Sequence, residues 1–462
     1  MSVAPVVLLE SAVGAPLSEL TDLLGQSLEV EYGDRVAIVE VRADGPVPWR
    51  VTPEGRIPLA VATLSSEGDD PFDGLEELLD RLVTDFHYVL LDPHRADPTL
   101  VSRISGFVDR VVYFTYDTFG ALPAAVRPGA QVLAVALLDP PDAPYSRRLY
   151  RAGTTRLRMP PAHFGNRRSY RELPAAERQS LARVGRAISG RTVGLALGGG
   201  GAWGYAHVAL IESLLAEGVP IDLLAGVSFG SVCGAFYASD GLGGLEMLVA
   251  ECTPLAVSVW ASVVSTSALD RFVRRRLTET YLEALEVPFL PVATNISTGE
   301  AEVIRMGPIG LGVRASGSLP GLLSPTIVGG VRFVDGGISA NIPASMLPSE
   351  GADLIIASNV LQHPGFTQVR TGGNRLTRVA FELDPIARAK DLILSMSTLT
   401  RQGGELMSVC AHVTYQARLT GVAPWDFMRG PQIVEQARRD VGPTIDRIRQ
   451  AWGTLARPGG GS

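Results

Sequence analysis

The sequence predicts an α/β protein with two parts: a smaller parallel α/β domain, followed by a larger α/β domain whose turns are rich in glycine. In residues 1–146, short apolar runs alternate with amphipathic stretches, which is the order of strands and helices in a parallel sheet. From residue 191 the chain passes twice through a strand, a glycine-rich turn and a helix. With 46% hydrophobic and 19% charged residues, the composition is typical of a globular protein.

The charge and the cysteine content argue against several classes of function. A formal net charge of -7 disfavours a nucleic-acid-binding protein, which presents a basic face to phosphates. Cys233, Cys252 and Cys410 suit neither a disulfide framework nor a zinc site, and they favour a reducing compartment. The first 25 residues lack the basic start and the long apolar run of a signal peptide, and no stretch is long enough to span a membrane. We therefore expect a cytoplasmic protein whose contact with the inner face of the membrane is peripheral.

Residues 1–146 are predicted to form the smaller domain. The predicted strands are 6–9, 36–41, 57–64, 88–92, 111–116 and 132–138, and the predicted helices are 17–28, 72–86 and 99–107. The strand 88–92 ends in Asp92, like a Walker B segment, but no Walker A loop with its lysine occurs in the chain. This domain is therefore predicted to be structural or regulatory and not to turn over nucleotide.

Three further stretches complete the division of the chain. Residues 147–190 are predicted to be an arginine-rich linker with one helix at 175–189, either a solvated connector or a segment attracted to anionic lipid. Residues 191–455 are predicted to be the larger domain, which closes with a helix at 385–410, a strand at 411–418 and a helix at 432–451. Residues 456–462, which end in Gly-Gly-Gly-Ser, are predicted to be a flexible tail.

A run of glycines follows the first strand of the larger domain. The strand 193–197 leads into Gly198-Gly-Gly-Gly-Ala-Trp-Gly204 and then into a helical pattern at 206–217. Glycines at a helix N-terminus expose backbone N–H groups and form an anion site. The same residues also fit the dinucleotide pattern G-x-G-x-x-G, but that interpretation needs an acidic residue at the end of the next strand, whereas Asp222 lies at its start.

A second glycine turn carries a serine. Gly226, Ser228 and Gly230 form the pattern G-x-S-x-G between a strand at 221–225 and a small-residue helix at 231–239. This is the setting of a nucleophile elbow, in which the glycines let strand and helix pass closely while the serine hydroxyl is exposed. Ser228 is therefore predicted to be a nucleophile.

A serine nucleophile requires a base, and three candidates follow Ser228 in the sequence. His363 lies in a predicted turn, and His412 lies on a predicted strand, where we expect a packed imidazole. Asp335 follows a short apolar run and precedes two glycines, although an Asp-Gly pair is more often only a turn. No cluster of metal ligands is apparent, so neither calcium nor another cofactor is predicted.

Together, these motifs resemble those of the patatin-like phospholipases. The matching residues are Gly199 to Gly204, Gly226 to Gly230 and Asp335-Gly336-Gly337, with Arg314 to Pro320, Asn341-Ile-Pro343 and Trp425-Asp-Phe427 as flanking matches. The resemblance covers about residues 191–450, and with the upstream α/β segment it points to the bacterial relatives of neuropathy target esterase. It implies a three-layer α/β/α hydrolase domain that acts on phospholipids or lysophospholipids.

The resemblance also implies roles for individual residues. Ser228 attacks the ester carbonyl, Asp335 accepts its proton without a histidine, and the amides of Gly199, Gly200 and Gly201 hold the oxyanion. The uncharged segments 253–269 and 319–328 are candidates for the mouth of an acyl-chain cleft, or for ordinary core packing.

One position departs from the family. Where the glycine loop usually has Arg or Lys before its last glycine, this chain has Trp203. Two alternatives to an active hydrolase therefore stay open: a catalytically impaired scaffold that binds lipid, and a nucleotide-binding protein that uses the glycine loop. The sequence carries no signal for an oligomeric state.

Overall fold

The computed structural model describes residues 4–11, 17–42, 50–51, 58–63, 73–93, 101–102, 104–115, 130–138, 152–158, 169–261, 267–362 and 385–459. The chain divides into two compact units. The first unit comprises Met1–Thr192 together with Gly453–Ser462, and the second comprises Val193–Trp452. Both units are built on largely parallel sheets, so the predicted α/β class is confirmed.

The first unit has a largely parallel sheet with helices on both faces. Its strands are β1 Val6–Ser11, β2 Val36–Arg42, β3 Arg50–Val51, β4 Pro58–Thr63, β5 Tyr88–Asp92, β6 Arg110–Thr115, β7 Gln131–Leu137 and β8 Thr155–Leu157, and its helices are α1 Leu17–Tyr32, α2 Asp73–Asp85 and α3 Ala175–Ser189. The strand order is β3-β4-β2-β5-β1-β6-β7-β8. Because side chains alternate along a strand, Val7 and Leu9 pack with α1 and α3, whereas Val6 and Leu8 pack with α2.

The six strands predicted for this unit are present, each with ends within two residues of the predicted ones. The predicted helix at 99–107 lies partly outside the described residues. The predicted linker at 147–190 is not a separate connector. Within it, β8 pairs with β7 in the sheet, and the apolar face of α3 packs in the core of the first unit.

The end of the chain also differs from the prediction, because residues 455–459 are bound to the first unit rather than free. Arg191 and Asp34 form a fully buried ion pair with an Nη1–Oδ2 distance of 2.5 Å. Arg191 also donates hydrogen bonds to the carbonyls of Leu455, at 3.0 Å, and Arg457, at 2.7 Å. The amide of Gly459 donates to Asp34 Oδ1 at 2.9 Å. The final segment thus supplies partners for a buried charge pair.

The second unit is built on a mixed sheet. Its strands are β9 Val193–Leu197, β10 Leu223–Gly226, β11 Phe289–Asn295, β12 Ala301–Val303, β13 Thr326–Val328, β14 Val331–Asp335, β15 Leu354–Asn359 and β16 Val413–Gln416. The order is β13-β14-β11-β10-β9-β15-β16, with β12 paired to β11. The strands β9, β10, β11, β15 and β16 are parallel, whereas β12 and β14 run antiparallel to β11.

Helices cover the sheet of the second unit. They are α4 Ala206–Ala216, α5 Phe229–Ala250, α6 Cys252–Ala261, α7 Ala268–Arg274, α8 Ile309–Ser316, α9 Gly337–Ala340, α10 Pro385–Met407, α11 Gly430–Asp440 and α12 Gly442–Leu455. Helix α5 lies close on one face, where a Cβ at Gly234 would approach the Phe289 ring to 2.5 Å. The other face packs against residues 342–347. This arrangement leaves the turns after β9 and β10 side by side at the carboxyl edge of the sheet.

The last predicted helix is two helices in the structure. The predicted helix at 432–451 breaks between α11 and α12, at the pair Gly442-Pro443. Proline has no N–H group to continue the hydrogen-bond pattern of the preceding helix, which explains the break.

No single helix among the described residues is long and apolar enough to cross a membrane. Helices α5 and α6 meet the length and composition of a span only as a pair, and they are bent by 74° relative to each other.

Candidate active site

Ser228 occupies a strained turn between β10 and α5. Its φ is 52° and its ψ is -120°, and it is the one non-glycine residue with positive φ in the described part of the chain. Such a conformation costs of order 1–3 kcal/mol and persists only where its surroundings impose it. A Cβ at Gly226 would lie 2.7 Å from the Gly230 carbonyl, and one at Gly230 would lie 2.3 Å from the Leu197 carbonyl. The two glycines therefore allow the close approach that the turn requires.

Asp335 ends β14 and is 4% exposed. Its Oδ1 accepts a hydrogen bond from the Gly337 amide at 2.8 Å, and the Ser228 side chain, which lines the same cavity, lies near enough to lower the pKa of the carboxyl. Its own amide donates to the Ser318 carbonyl at 2.9 Å. Burial raises the pKa of Asp335 to about 6, although the hydrogen bonds from Gly337 and Ser228 act in the opposite direction. The structure therefore brings the predicted nucleophile and the predicted base into contact.

The glycine loop follows β9 beside Ser228. The Gly199 amide donates to the Asn341 carbonyl at 3.2 Å, so it is already engaged. The amides of Gly200 and Gly201 have no acceptor among the described residues, and both glycines line the same cavity as Ser228. Of the three predicted oxyanion donors, the structure therefore favours Gly200 and Gly201 over Gly199.

Trp203 does not enter the cavity. The indole is 2% exposed, and its Nε1 donates to the Val422 carbonyl at 3.0 Å. The neighbouring Ala202 amide donates to the Pro424 carbonyl at 2.7 Å. The residue that replaces the usual cation therefore anchors the glycine loop to the segment 422–424 and leaves the space around Ser228 unobstructed.

The cavity above Ser228 is mostly apolar. Its hydrophobic lining consists of Val259, Trp260, Leu319, Leu322, Leu323, Ile338, Leu361, Ile393, Met396, Pro424 and Phe427. Among the described lining residues, Asp335 is the one with an ionisable side chain. Both segments that were candidates for the mouth contribute to it, 253–269 through Val259 and Trp260. Other residues of that segment, such as Leu255, are buried in the core instead.

Of the two histidines predicted as alternatives for the base, His412 does not line this cavity. His412 is exposed, and its Nδ1 accepts the Ile355 amide at 2.9 Å, so the ring is held at the edge of the sheet. His363 lies outside the described residues. Asp222, the candidate ribose ligand of the dinucleotide interpretation, accepts the Val193 amide at 2.9 Å at the start of β9, which is the end of the strand opposite the glycine loop.

His207 is a residue that the sequence analysis missed. It lies in the first turn of α4, fully buried, with Nε2 2.8 Å from the Gly198 carbonyl and Nδ1 2.8 Å from the Ser358 hydroxyl. Because a carbonyl can only accept, Nε2 carries the proton and Nδ1 accepts from Ser358. Burial lowers the pKa of His207 to about 4, so the ring is neutral at pH 7. The sequence feature that could have identified His207 was its position at the start of the helix that follows the glycine loop.

Comparisons with known proteins agree with these motifs. The family model described as patatin-like phospholipase matches residues 195–348. Patatin-like phospholipase domain-containing protein 6 of Homo sapiens is 34% identical over 199 residues, which cover 40% of this chain and 14% of that protein. Lysophospholipase NTE1 of Mycosarcoma maydis is 33% identical over 192 residues, which cover 39% of this chain and 10% of that protein.

The chain spans only 10% to 14% of the length of these two relatives. Among solved structures, VipD from Legionella pneumophila overlaps 56% of this chain and 67% of that chain, with 13% identity and a TM-score of 0.26, which is too loose a superposition to inform the site.

Proposed function

Since residues 195–348 of this chain match the family model described as patatin-like phospholipase, we propose that it is a serine hydrolase of lipid acyl esters, with Ser228 as nucleophile and Asp335 as general base. One observation carries the proposal. The strained serine, a buried carboxyl beside it and two backbone amides that have no acceptor among the described residues all line one mostly apolar cavity. These are the parts that acyl transfer requires.

The proposed reaction begins when the Ser228 hydroxyl attacks the ester carbonyl and its proton passes to Asp335. The amides of Gly200 and Gly201 then stabilise the oxyanion, and each such donor is worth about 3 to 4 kcal/mol in the transition state. Collapse of the tetrahedral intermediate breaks the ester bond, and the proton held by Asp335 passes to the leaving alcohol. Water next attacks the acyl-enzyme while Asp335 accepts its proton; that proton then passes to the Ser228 oxygen as the acyl bond breaks and the fatty acid leaves. Because burial raises its pKa to about 6, Asp335 is a stronger base than an ordinary carboxylate and is still ionised at pH 7.

The substrate that fits this cavity is a phospholipid or a lysophospholipid. Its mostly apolar lining suits an acyl chain, and the reacting groups Ser228 and Asp335 line the same cavity. The proposal is also supported by the name of the fungal relative, lysophospholipase.

A peripheral contact with the inner face of the membrane, from the cytoplasmic side, is part of the same proposal. Ile338 lines the cavity and is 43% exposed, and Met428, which follows the lining residue Phe427, is 65% exposed. Leu399 and Val257, on α10 and α6 close to other lining residues, are 71% and 64% exposed. Apolar side chains around the opening would let an acyl chain enter without crossing water.

Labelling with a fluorophosphonate tests the enzyme against the catalytically impaired scaffold. The purified protein should gain one covalent adduct at Ser228, Ser228→Ala should gain none while remaining folded, and a phospholipid and lysophospholipid panel should release fatty acid. A folded wild-type protein without an adduct would favour the scaffold. A thermal shift with ATP or NAD would favour the nucleotide-binding alternative, because a ligand at 100 times its dissociation constant adds about 2.7 kcal/mol of stability.

A further inference from the structure

Ser316, the last residue of α8, lies behind the nucleophile and is fully buried. Its hydroxyl accepts the Ser228 amide at 3.0 Å and donates to the Val292 carbonyl at 2.7 Å. The Ser316 carbonyl lies 3.2 Å from the same Ser228 amide. The side chain does not line the cavity, so it has no contact with a substrate there.

These contacts act on the strained turn. The amide of the residue at the start of a helix has no partner within that helix, and the Ser228 amide finds both of its acceptors on Ser316. Val292 belongs to β11, which pairs with β10 immediately before the turn. Ser316 therefore fixes the direction of the Ser228 backbone relative to the sheet.

The same residue also touches the segment that carries the base. The Ser316 carbonyl accepts the amide of Gly336, the residue after Asp335, at 3.3 Å. The nucleophile and the base are 107 positions apart in the sequence, and Ser316 bonds to the backbone at one and directly after the other. A shift of Ser316 would change the distance between the two reacting groups.

We propose that Ser316 is a positioning residue: its hydroxyl fixes the Ser228 backbone, while its carbonyl bonds to the segment that carries Asp335, so that the nucleophile is held in register with the base. This inference rests on the proposed hydrolase function. Its contribution belongs to the chemical step, because it sets the geometry of attack and touches none of the surface that binds the acyl chain. Misplacement of a catalytic group by about 1 Å can cost about 100-fold in rate.

Ser318 provides a matched control. It is equally buried and lies in the same motif, but its hydroxyl donates to the Arg314 carbonyl at 2.8 Å and contacts Thr326 Oγ1 at 2.8 Å. Its link to Asp335 uses only the backbone carbonyl, which an alanine keeps. Ser316→Ala and Ser318→Ala thus remove the same atom from two buried sites, of which one faces the nucleophile.

The experiment measures kcat and KM for a lysophospholipid, together with the rate of fluorophosphonate labelling, in wild type and both variants. Ser316→Ala should lower kcat and the labelling rate by about 100-fold at unchanged KM, whereas Ser318→Ala should leave both near wild type. If Ser316→Ala does not fold, Ser316→Cys, which keeps a weak donor and acceptor, should show a smaller loss in the same two quantities.

The outcomes separate the two proposals. Equal rates in Ser316→Ala, Ser318→Ala and wild type would overturn the positioning role and leave the hydrolase proposal intact. A loss confined to KM would also overturn the role, since it would place Ser316 in binding. A wild-type protein that neither labels nor hydrolyses would overturn the hydrolase proposal, and the role of Ser316 with it.

Discussion

At the scale of single residues, the carboxyl of Asp335 has two opposing requirements. It must be ionised to accept a proton, yet it is buried in a mostly apolar cavity, where ionisation is costly. The amide of Gly337 and the hydroxyl of Ser228 offset part of that cost, and the pKa is raised to about 6. The activity and the stability of the protein should therefore respond to pH in opposite directions around this value.

The first prediction concerns activity. Because only ionised Asp335 can act as the base, kcat/KM should be half-maximal near pH 6 and should fall about tenfold for each further pH unit below it. A pH–rate profile with a soluble short-chain ester tests this without interference from the lipid phase. A profile that stays flat from pH 7 to pH 5 would mean that another group accepts the proton.

The second prediction concerns Asp335→Asn, which removes the charge but keeps the size. Hydrolysis should fall by at least about 100-fold, the usual contribution of a general base.

The folded pKa of about 6 lies above the value of 3.8 for a free carboxyl, so this group stabilises the fold fully below pH 3.8 and loses that stabilisation as the pH rises through 6. At pH 7 the ionised carboxyl costs about 3 kcal/mol, from about 1.4 kcal/mol per pKa unit.

Asp335→Asn should accordingly be more stable than wild type at pH 7, with a difference that shrinks toward pH 4, as measured by urea unfolding at several pH values. The matched control is Asp222→Asn, a change at a buried carboxyl that bonds the Val193 amide away from the cavity. That variant should keep its activity. If Asp335→Asn kept wild-type turnover, the carboxyl would only shape the turn.

At the scale of elements, one of the closest approaches in the site is between the elbow and the strand β9. Gly230, in the first turn of α5, lies against the end of β9, where a Cβ would come within 2.3 Å of the Leu197 carbonyl and 2.7 Å of the Gly198 carbonyl. Backbone atoms on both sides leave no flexible side chain to move aside. The spacing between α5 and the sheet therefore depends on the absence of one methyl group.

The third prediction is that Gly230→Ala abolishes activity and destabilises the second unit, because the helix must move away from β9. Gly243→Ala is the control: this glycine is exposed and lies beyond Gly241, whose non-helical backbone kinks α5, and nothing lies within 4 Å of the added Cβ. At position 243, alanine should leave the free energy of unfolding unchanged or raise it by up to about 1 kcal/mol. The unfolding temperature and the rate of fluorophosphonate labelling are measured for both variants. Equal values for Gly230→Ala and Gly243→Ala would refute the argument from close approach.

The sequence predicted the secondary-structure elements better than the long-range contacts between them. The strands, the glycine loop and the elbow follow from local periodicity and turn chemistry, so they could be predicted from neighbouring residues alone. By contrast, the buried pairing of Arg191 with Asp34 joins residues 157 positions apart, and local patterns do not report such contacts. The arginine-rich stretch resembled a solvated linker for the same reason, although part of it packs as α3 in a core.

The candidate site likewise contains residues whose roles could be predicted from local sequence and residues whose roles could not. Ser228 and Asp335 stood in motifs whose residue types state their chemistry, and these motifs were recognised. Ser316 and Asn341 also lay in matched segments, but no role was predicted for them or for His207, because their contacts are with backbone groups of other loops and their residue types are those of ordinary buried polar residues.

At the scale of the whole molecule, the fourth prediction concerns the segment that returns to the first unit. Deleting residues 455–459 with the tail removes the carbonyls of Leu455 and Arg457 from Arg191, and the amide of Gly459 from Asp34. Buried charged groups that lose their partners cost at least about 1–3 kcal/mol each. We expect a lower unfolding temperature and faster hydrogen exchange in β1, β2 and β5.

The control is a deletion of residues 460–462, which contribute none of these described bonds. It should leave the unfolding temperature of the first unit unchanged. If the longer deletion also had no effect, the hydrogen bonds to Arg191 and Asp34 would be dispensable for stability.

The return of the chain also has a consequence during its synthesis. Residues 193–452, which make up the second unit, are a run of 260 residues that the ribosome must produce between the two parts of the first unit. At about 5 to 20 residues per second, this takes about 13 to 52 s. Throughout that interval the nascent first unit lacks the backbone carbonyls that complete the surroundings of Arg191. The second unit can therefore finish folding before the first, against the usual order of N-terminal domain first.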